Sequence, residues 1–361
     1  MNLRLGRFGL QEGTAAVAVA ALISGVFSLD VSATYARGNL CYAATAAGAL
    51  LSVLLLGLLP KAMGPEADLG ESFRLALGPL LGPVVTLPLI LGLLLAAVLP
   101  LFRFLLAMER YIFVDADYVP LALYLLPVLL LLVTRGMECV ARMAKLLALP
   151  AAFALGALLL LAGPAFRLYH LYPLFSPGFG AFCRQTGEAL FRFLPGGLAL
   201  IAVGRGCQGK KFVAAGVRRG LLLGGAGATM VQLGLGLTFF GPDMAPMSAP
   251  VYCMTMAARQ DRLGLRLDVL VLFLWVMAGL AAAGFYLYAA ALLLCRLTGG
   301  EDIRPLGALM GLLAVSLALL FNFDASVLQA VLRAVYARGS WLLLCPLLLL
   351  LLGRALTGRR P

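Results

Sequence analysis

A run of some 20 apolar residues leaves a chain few choices, because as a helix it has the length of a bilayer's hydrocarbon core, about 30 Å. Apolar runs bounded by charge or by Pro and Gly recur ten times here, at 13–35, 39–59, 80–108, 119–134, 146–166, 189–205, 216–240, 268–295, 305–323 and 340–357. The segments between them are too short for a soluble domain. Hydrophobic residues make up 63% of the 361 positions and charged residues 12%, roughly half the charged share of soluble domains. The expectation is one all-α integral membrane domain, 1–361, of ten transmembrane helices. The run at 119–134 is short and holds Pro120 and Pro127; those at 80–108 and 268–295 are long enough to tilt.

An even number of spans puts both termini on one side. With a cytoplasmic N-terminus the inner segments receive the larger share of the 28 Lys and Arg, including the cluster from Arg205 to Arg219 and the tail GRALTGRRP; both ends are therefore expected in the cytoplasm. A net charge of +12 would suit nucleic acid, but the charges lie in short loops, where they orient helices and meet anionic headgroups. No nucleic-acid partner is expected. The leading MNLRLGR and the apolar run behind it lack an A-x-A cleavage site and read as an uncleaved first helix.

Chemistry is sparse. Cys41, Cys139, Cys183, Cys207, Cys253, Cys295 and Cys345 form no C-x-x-C pair, and His170 is the sole histidine, so no metal, redox centre or cofactor is expected. Hydrolysis or group transfer inside a membrane needs a nucleophile with its base, or paired carboxylates. No such set occurs, and the chain does not read as an enzyme. Glu138 and Arg142, four apart in RGMECVARMAK, suit an ion pair on one helical face.

Two spans carry interruptions. ALISGVFSLDVSATYAR at 21–37 places Ser24, Gly25 and Ser28 within an apolar run and then adds Asp30. At 1.5 Å per residue Ser24 lies about 16 Å beyond Gly13 and Asp30 about 25 Å. Five spans later, FRFLPGGLALIAVGRG at 191–206 holds Pro195, Gly196 and Gly197, a sequence suited to an opened helix. Spans 1 and 6 open two five-helix halves, 13–166 and 189–357. An odd number of spans per half turns the second half over, giving a 5+5 inverted repeat whose interrupted helices enclose a central site.

Several local patterns occur in a family's order. RGMECVARMAKLLALPAAF at 135–153 is similar to the glycine, glutamate and arginine signature that opens span 5 of the endospore germination permeases, the B subunits of spore nutrient germinant receptors. RLDVLVLFLWVMAG at 266–279 and GFYLYAAALLLCRLTGGEDIRPL at 284–306 look like that family's span 8 and the turn after it. The resemblance runs nearly end to end. It departs where members carry Ala-Gly-x-Asp-Ala-Trp and this chain has Ala36, Arg37, Gly38, Asn39, Leu40 and Cys41.

The resemblance implies the LeuT-like fold of the amino acid/polyamine/organocation superfamily, with helices 1 and 6 broken. It also implies a sensor that binds a small nutrient, an amino acid above all, and works with an A-type membrane subunit and a C-type lipoprotein in the spore inner membrane. By position the site takes Ser24, Gly25, Phe27 and Ser28 from span 1, Leu99 and Arg103 from span 3, Leu194, Pro195, Gly196 and Gly197 from span 6, and Gly284 and Tyr288 from span 8. Asp30 is either a gating partner of Arg103, with Arg37 second, or an interfacial carboxylate. The alternative function is a proton-coupled amino acid transporter of the same superfamily, in which Lys145 of span 5 would stand in for a coupling cation. A snorkelling Lys145 is the other reading of that side chain.

Overall fold

The structure is a computed structural model and describes residues 8–27, 39–63, 69–112, 117–173, 178–204, 210–244, 247, 249–257, 267–320 and 325–357. Its regular elements are all helical. The long ones are α1 (Leu10–Phe27), α2 (Cys41–Ala62), α3 (Leu69–Tyr111), α4 (Tyr118–Arg135), α5 (Met137–Ala162), α6 (Phe179–Ala202), α7 (Lys210–Thr238), α8 (Leu267–Thr298), α9 (Arg304–Leu320) and α10 (Ala325–Thr357). Two short helices, Gly241–Met244 and Pro250–Ala257, lie between α7 and α8.

Among the described residues seven helices, α1 to α5, α7 and α8, are long and apolar enough to cross a membrane; α9 and the Arg338–Gly353 part of α10 are shorter apolar helices. Helix α6 belongs to neither group because Gln185, Glu188 and Arg192 lower its hydropathy. Gln185 and Glu188, just before it, make the apolar run begin at 189, whereas the helix begins ten residues earlier at Phe179. Helix α3 also exceeds its expected range, and a kink at Gly78 (φ 89°) separates a first piece from the rest. That φ is one an L side chain seldom adopts. Gly136 (φ 95°) makes the equally tight turn from α4 to α5, which explains the glycine in RGMEC.

Helices α1, α3 and α8 each bury 67% of their most apolar window and α4 only 28%, so the first three form the centre and α4 the rim. The rim shows lipid-like chemistry: Leu123, Tyr124 and Leu131 of α4 and Leu149, Phe153 and Leu160 of α5 are exposed. The interior relies on small residues. Gly216, Gly220 and Gly224, four apart on α7, face α1, and a Cβ on Gly224 would come within 2.4 Å of the Ala18 carbonyl oxygen. Such stripes let backbones close up where lipid supplies no hydrophobic drive between helices.

The packing repeats itself. Helix α3 packs on α8, α2 on α7, α4 on α9 and α1 on α6. In addition, α1 with α7 matches α6 with α2, α5 with α8 matches α10 with α3, and α1 with α5 matches α6 with α10. Exchanging each of the first five helices for the one five places later thus returns the same neighbours. One departure is that α6 packs on α7 whereas α1 barely meets α2 among the described residues.

The expected interruption of helix 6 does not occur. Phe179–Ala202 is continuous through Pro195, Gly196 and Gly197, because a missing proline donor is tolerated where neighbouring helices hold the backbone in place. The two glycines act as a packing notch instead. A Cβ on Gly197 would lie 2.3 Å from the Leu56 side chain, and one on Gly196 3.7 Å from the Val17 carbonyl. Helix α1 is likewise regular through Ser24, Gly25 and Phe27. Ser28, Asp30 and Arg37 lie outside the described residues.

Candidate functional site

At the contact of α1 with α8 the core turns polar. Ser24, 3% exposed, hydrogen-bonds the Tyr286 hydroxyl at 2.9 Å, and Tyr286 donates to the Ala20 carbonyl at 3.2 Å. On the other side of α1, the Gln232 amide of α7 donates to the Gly25 carbonyl at 3.2 Å, and the Cys41 thiol of α2 donates to the Gln232 amide oxygen at 3.8 Å. A buried amide or hydroxyl needs such partners because the bilayer offers no water. The last two turns of α1 are thus tied to α8 and α7 through two backbone carbonyls and one serine, and α2 joins through Gln232.

An aromatic stack lies beyond that polar knot. Phe27 is stacked on Trp275 of α8 (centroids 4.0 Å apart), and Phe104 of α3 meets Trp275 edge-on at 5.7 Å. Phe104 also lines a cavity of about 450 Å³ with Tyr111, Tyr252, Asp268 and Phe273. The short helix Pro250–Ala257 lies against this cavity: Tyr111 and Tyr252 pair at 5.2 Å, and the Cys253 thiol donates to the Tyr111 hydroxyl at 3.7 Å. Partial burial pushes the Cys253 thiol above its ordinary range. Between α1, α5 and α8 lies a small void of about 20 Å³ beside Leu22, Phe27, Ala154 and Trp275, room for no more than one water.

Ser24, Gly25 and Phe27 of α1, Leu99 and Arg103 of α3, and Leu194, Pro195, Gly196 and Gly197 of α6 are all buried. Those of α1 and α6 meet in direct packing: a Cβ on Gly25 would lie 2.6 Å from Ala228 and 3.0 Å from the Phe193 ring. The α8 pair does not join them. Gly284 faces Leu132 and Val140, and Tyr288 approaches Gly136 at the α4–α5 turn. Tyr286 is the α8 residue that reaches α1. Glu138 and Arg142 form the expected ion pair, on the exposed side of α5, and Lys145 is exposed on the same helix. His170 serves packing, its ring Nδ1 3.0 Å from the Leu237 carbonyl oxygen.

Sequence reasoning passed over Tyr286, Gln232 and Trp275. It also passed over a buried polar stripe on α6, Gln185, Glu188 and Arg192, exposed by 2%, 7% and 4%. Their spacing of three and four residues is the signal of one helical face.

No family model matches the chain, and no curated protein does. Solved structures do. MHP1, a nucleobase-cation-symport-1 family transporter with bromovinylhydantoin bound, superposes with a TM-score of 0.63 at 14% identity, covering 98% of this chain and 92% of that one. A Na+-coupled sialic acid symporter gives 0.59 at 11% identity, over 92% and 78%. The manganese transporter of Eremococcus coleocola gives 0.58 at 15%, over 95% and 76%. These are secondary transporters of the LeuT fold, and this chain has that fold. Identities this low establish architecture alone.

Proposed function

We propose that the chain is the ligand-sensing permease subunit of a spore nutrient germinant receptor. In this reading it crosses the membrane ten times as two inverted halves, 13–166 and 189–357, with both termini cytoplasmic, in the spore inner membrane. It binds a small nutrient, an amino acid, between α1, α3, α6 and α8 and passes occupancy to an A-type membrane subunit and a C-type lipoprotein. It is not an enzyme and takes no cofactor. The exchange symmetry of the packing supports the two-halves reading, and the patterns at 135–153, 266–279 and 284–306 support the family.

The observation that carries the sensing role is the bridge of Tyr286 to Ser24 and Ala20. Cation-coupled relatives need free hydroxyl and carbonyl oxygens where helices 1 and 8 meet, and here one tyrosine occupies both kinds. A ligand that competes for Ser24 loosens α1 from α8. A preference of 1–3 kcal/mol between the two states shifts their populations roughly 5- to 150-fold, enough to signal without net transport. Deleting the gene in its spore-forming host is expected to abolish germination on one nutrient or nutrient class; unchanged germination on every nutrient overturns the reading.

A second reading, a proton-coupled amino acid transporter, draws on the likeness to symporters. It asks Lys145 to serve the α1–α8 junction, yet that side chain is exposed on α5. Counterflow of labelled amino acids in proteoliposomes, lost in Lys145→Ala, favours the transporter; absence of counterflow favours the sensor.

A further inference from the structure

Arg192 stands 13 residues into α6, about 20 Å from its first turn, and is 4% exposed. Its Nε and Nη1 are buried and have no hydrogen-bond partner. Two contacts fix its level. Phe193, its neighbour in sequence, meets Gly25, and Gly196, one turn on, meets α1 at Val17, Ala20 and Ala21. The helices therefore run antiparallel here, and Arg192, on the same face as Gly196, comes level with the last turn of α1 around Ser24. A second donor flanks that turn: Trp275, stacked on Phe27 and 3% exposed, has an unpartnered Nε1.

Arginine cannot shed its proton to escape burial, and an unpaired cation inside a membrane protein is costly. Glu188 is buried one turn earlier on the same face, yet Arg192 Nε and Nη1 stay without a partner, which points to an anion that visits. We propose that Arg192 is the anchor for an anionic group of the ligand, a carboxylate, with Trp275 Nε1 as a neighbouring donor. The guanidinium fork matches two carboxylate oxygens, and such charge-assisted pairs are short and strong. The assignment rests on the sensing role above and names the carboxylate as the group of its ligand that the protein holds. Recognition then rests on side chains, since α6 is continuous and offers no free helix end at this depth.

The test uses the full chain in lipid nanodiscs and its melting temperature. Arg192→Met removes the charge at similar length. Without added ligand the variant is expected to melt above the wild type, since it loses an uncompensated charge; melting below it, or failure to fold, reveals a structural partner and overturns the proposal. The second measurement needs only the wild type, held at constant ionic strength with acetate, glycine, L-alanine or L-valine, or with acetamide, glycinamide, L-alaninamide or L-valinamide. At least one acid is expected to raise the melting temperature in a saturable way that its amide does not reproduce, with the rise absent in Arg192→Met. Arg192→Lys is expected to need at least tenfold more of that acid for the half-maximal rise. No rise with any acid, or an equal rise with the amides, overturns the proposal. Should a deletion strain germinate normally while the acid still stabilises through Arg192, the receptor reading falls and the anion site stands.

Discussion

Tyr286 holds Ser24 and the Ala20 carbonyl with one hydroxyl, so its removal reaches two partners. Tyr286→Phe is expected to lower stability by about 1 kcal/mol and Ser24→Ala by a similar amount. The double variant should fall short of the sum, because both remove the same bond; urea unfolding in mild detergent reads all three. Full additivity would mean the two hydroxyls act separately. The choice of Tyr288 over Tyr286 shows how far sequence reaches at this scale. Span 8 is apolar on every side, LAAAGFYLYAAALLL, so no amphipathic stripe says which tyrosine faces α1. Only the packing of α8 against α5 on one side and α1 on the other separates them. Arg192 was readable by spacing with Gln185 and Glu188, but those two precede the apolar run and look like loop residues until the helix is seen to start at Phe179.

Among elements, α6 departs furthest from expectation. Pro-Gly-Gly in an isolated peptide favours an open helix, yet from Phe191 to Ala202 every side chain is buried, and the cost of one missing hydrogen bond is offset by contacts on all sides. Pro195→Ala is therefore expected to leave the fold intact and melting unchanged or slightly raised; loss of folding would show that the ring holds a bend the bundle needs. Gly224→Val should act oppositely. The added methyls meet the Ala18 carbonyl and the Ala21 side chain, and overpacking of this kind costs roughly 1–3 kcal/mol or more; the yield of monodisperse protein after detergent extraction checks it. Element existence was legible because apolar runs of about 20 residues admit little else. The glycine stripe on α7 is equally present in the letters GVRRGLLLGGAGA, but its partner α1 lies some 200 residues away, and nothing local names it.

At the scale of the whole molecule, the exchange symmetry of the helix contacts and the rim of exposed leucines describe a bundle whose polar chemistry is kept inside. Cys183 near the start of α6 and Cys139 near the start of α5 are both exposed, and the proposed orientation, with cytoplasmic termini, would put the first outside and the second inside. A membrane-impermeant maleimide is expected to label Cys183 but not Cys139 in sealed right-side-out vesicles; the reverse pattern would invert the topology. The central site is tested most directly by equilibrium binding. The nutrient to which a deletion strain becomes blind is radiolabelled and dialysed against the protein in nanodiscs. Saturable binding to wild type and to Lys145→Ala is expected, with at least a tenfold loss of affinity in Ser24→Leu, which removes the hydroxyl bonded to Tyr286 and crowds that contact. Undiminished binding in Ser24→Leu, or no saturable binding to the wild type, would contradict a ligand site at the meeting of α1, α6 and α8.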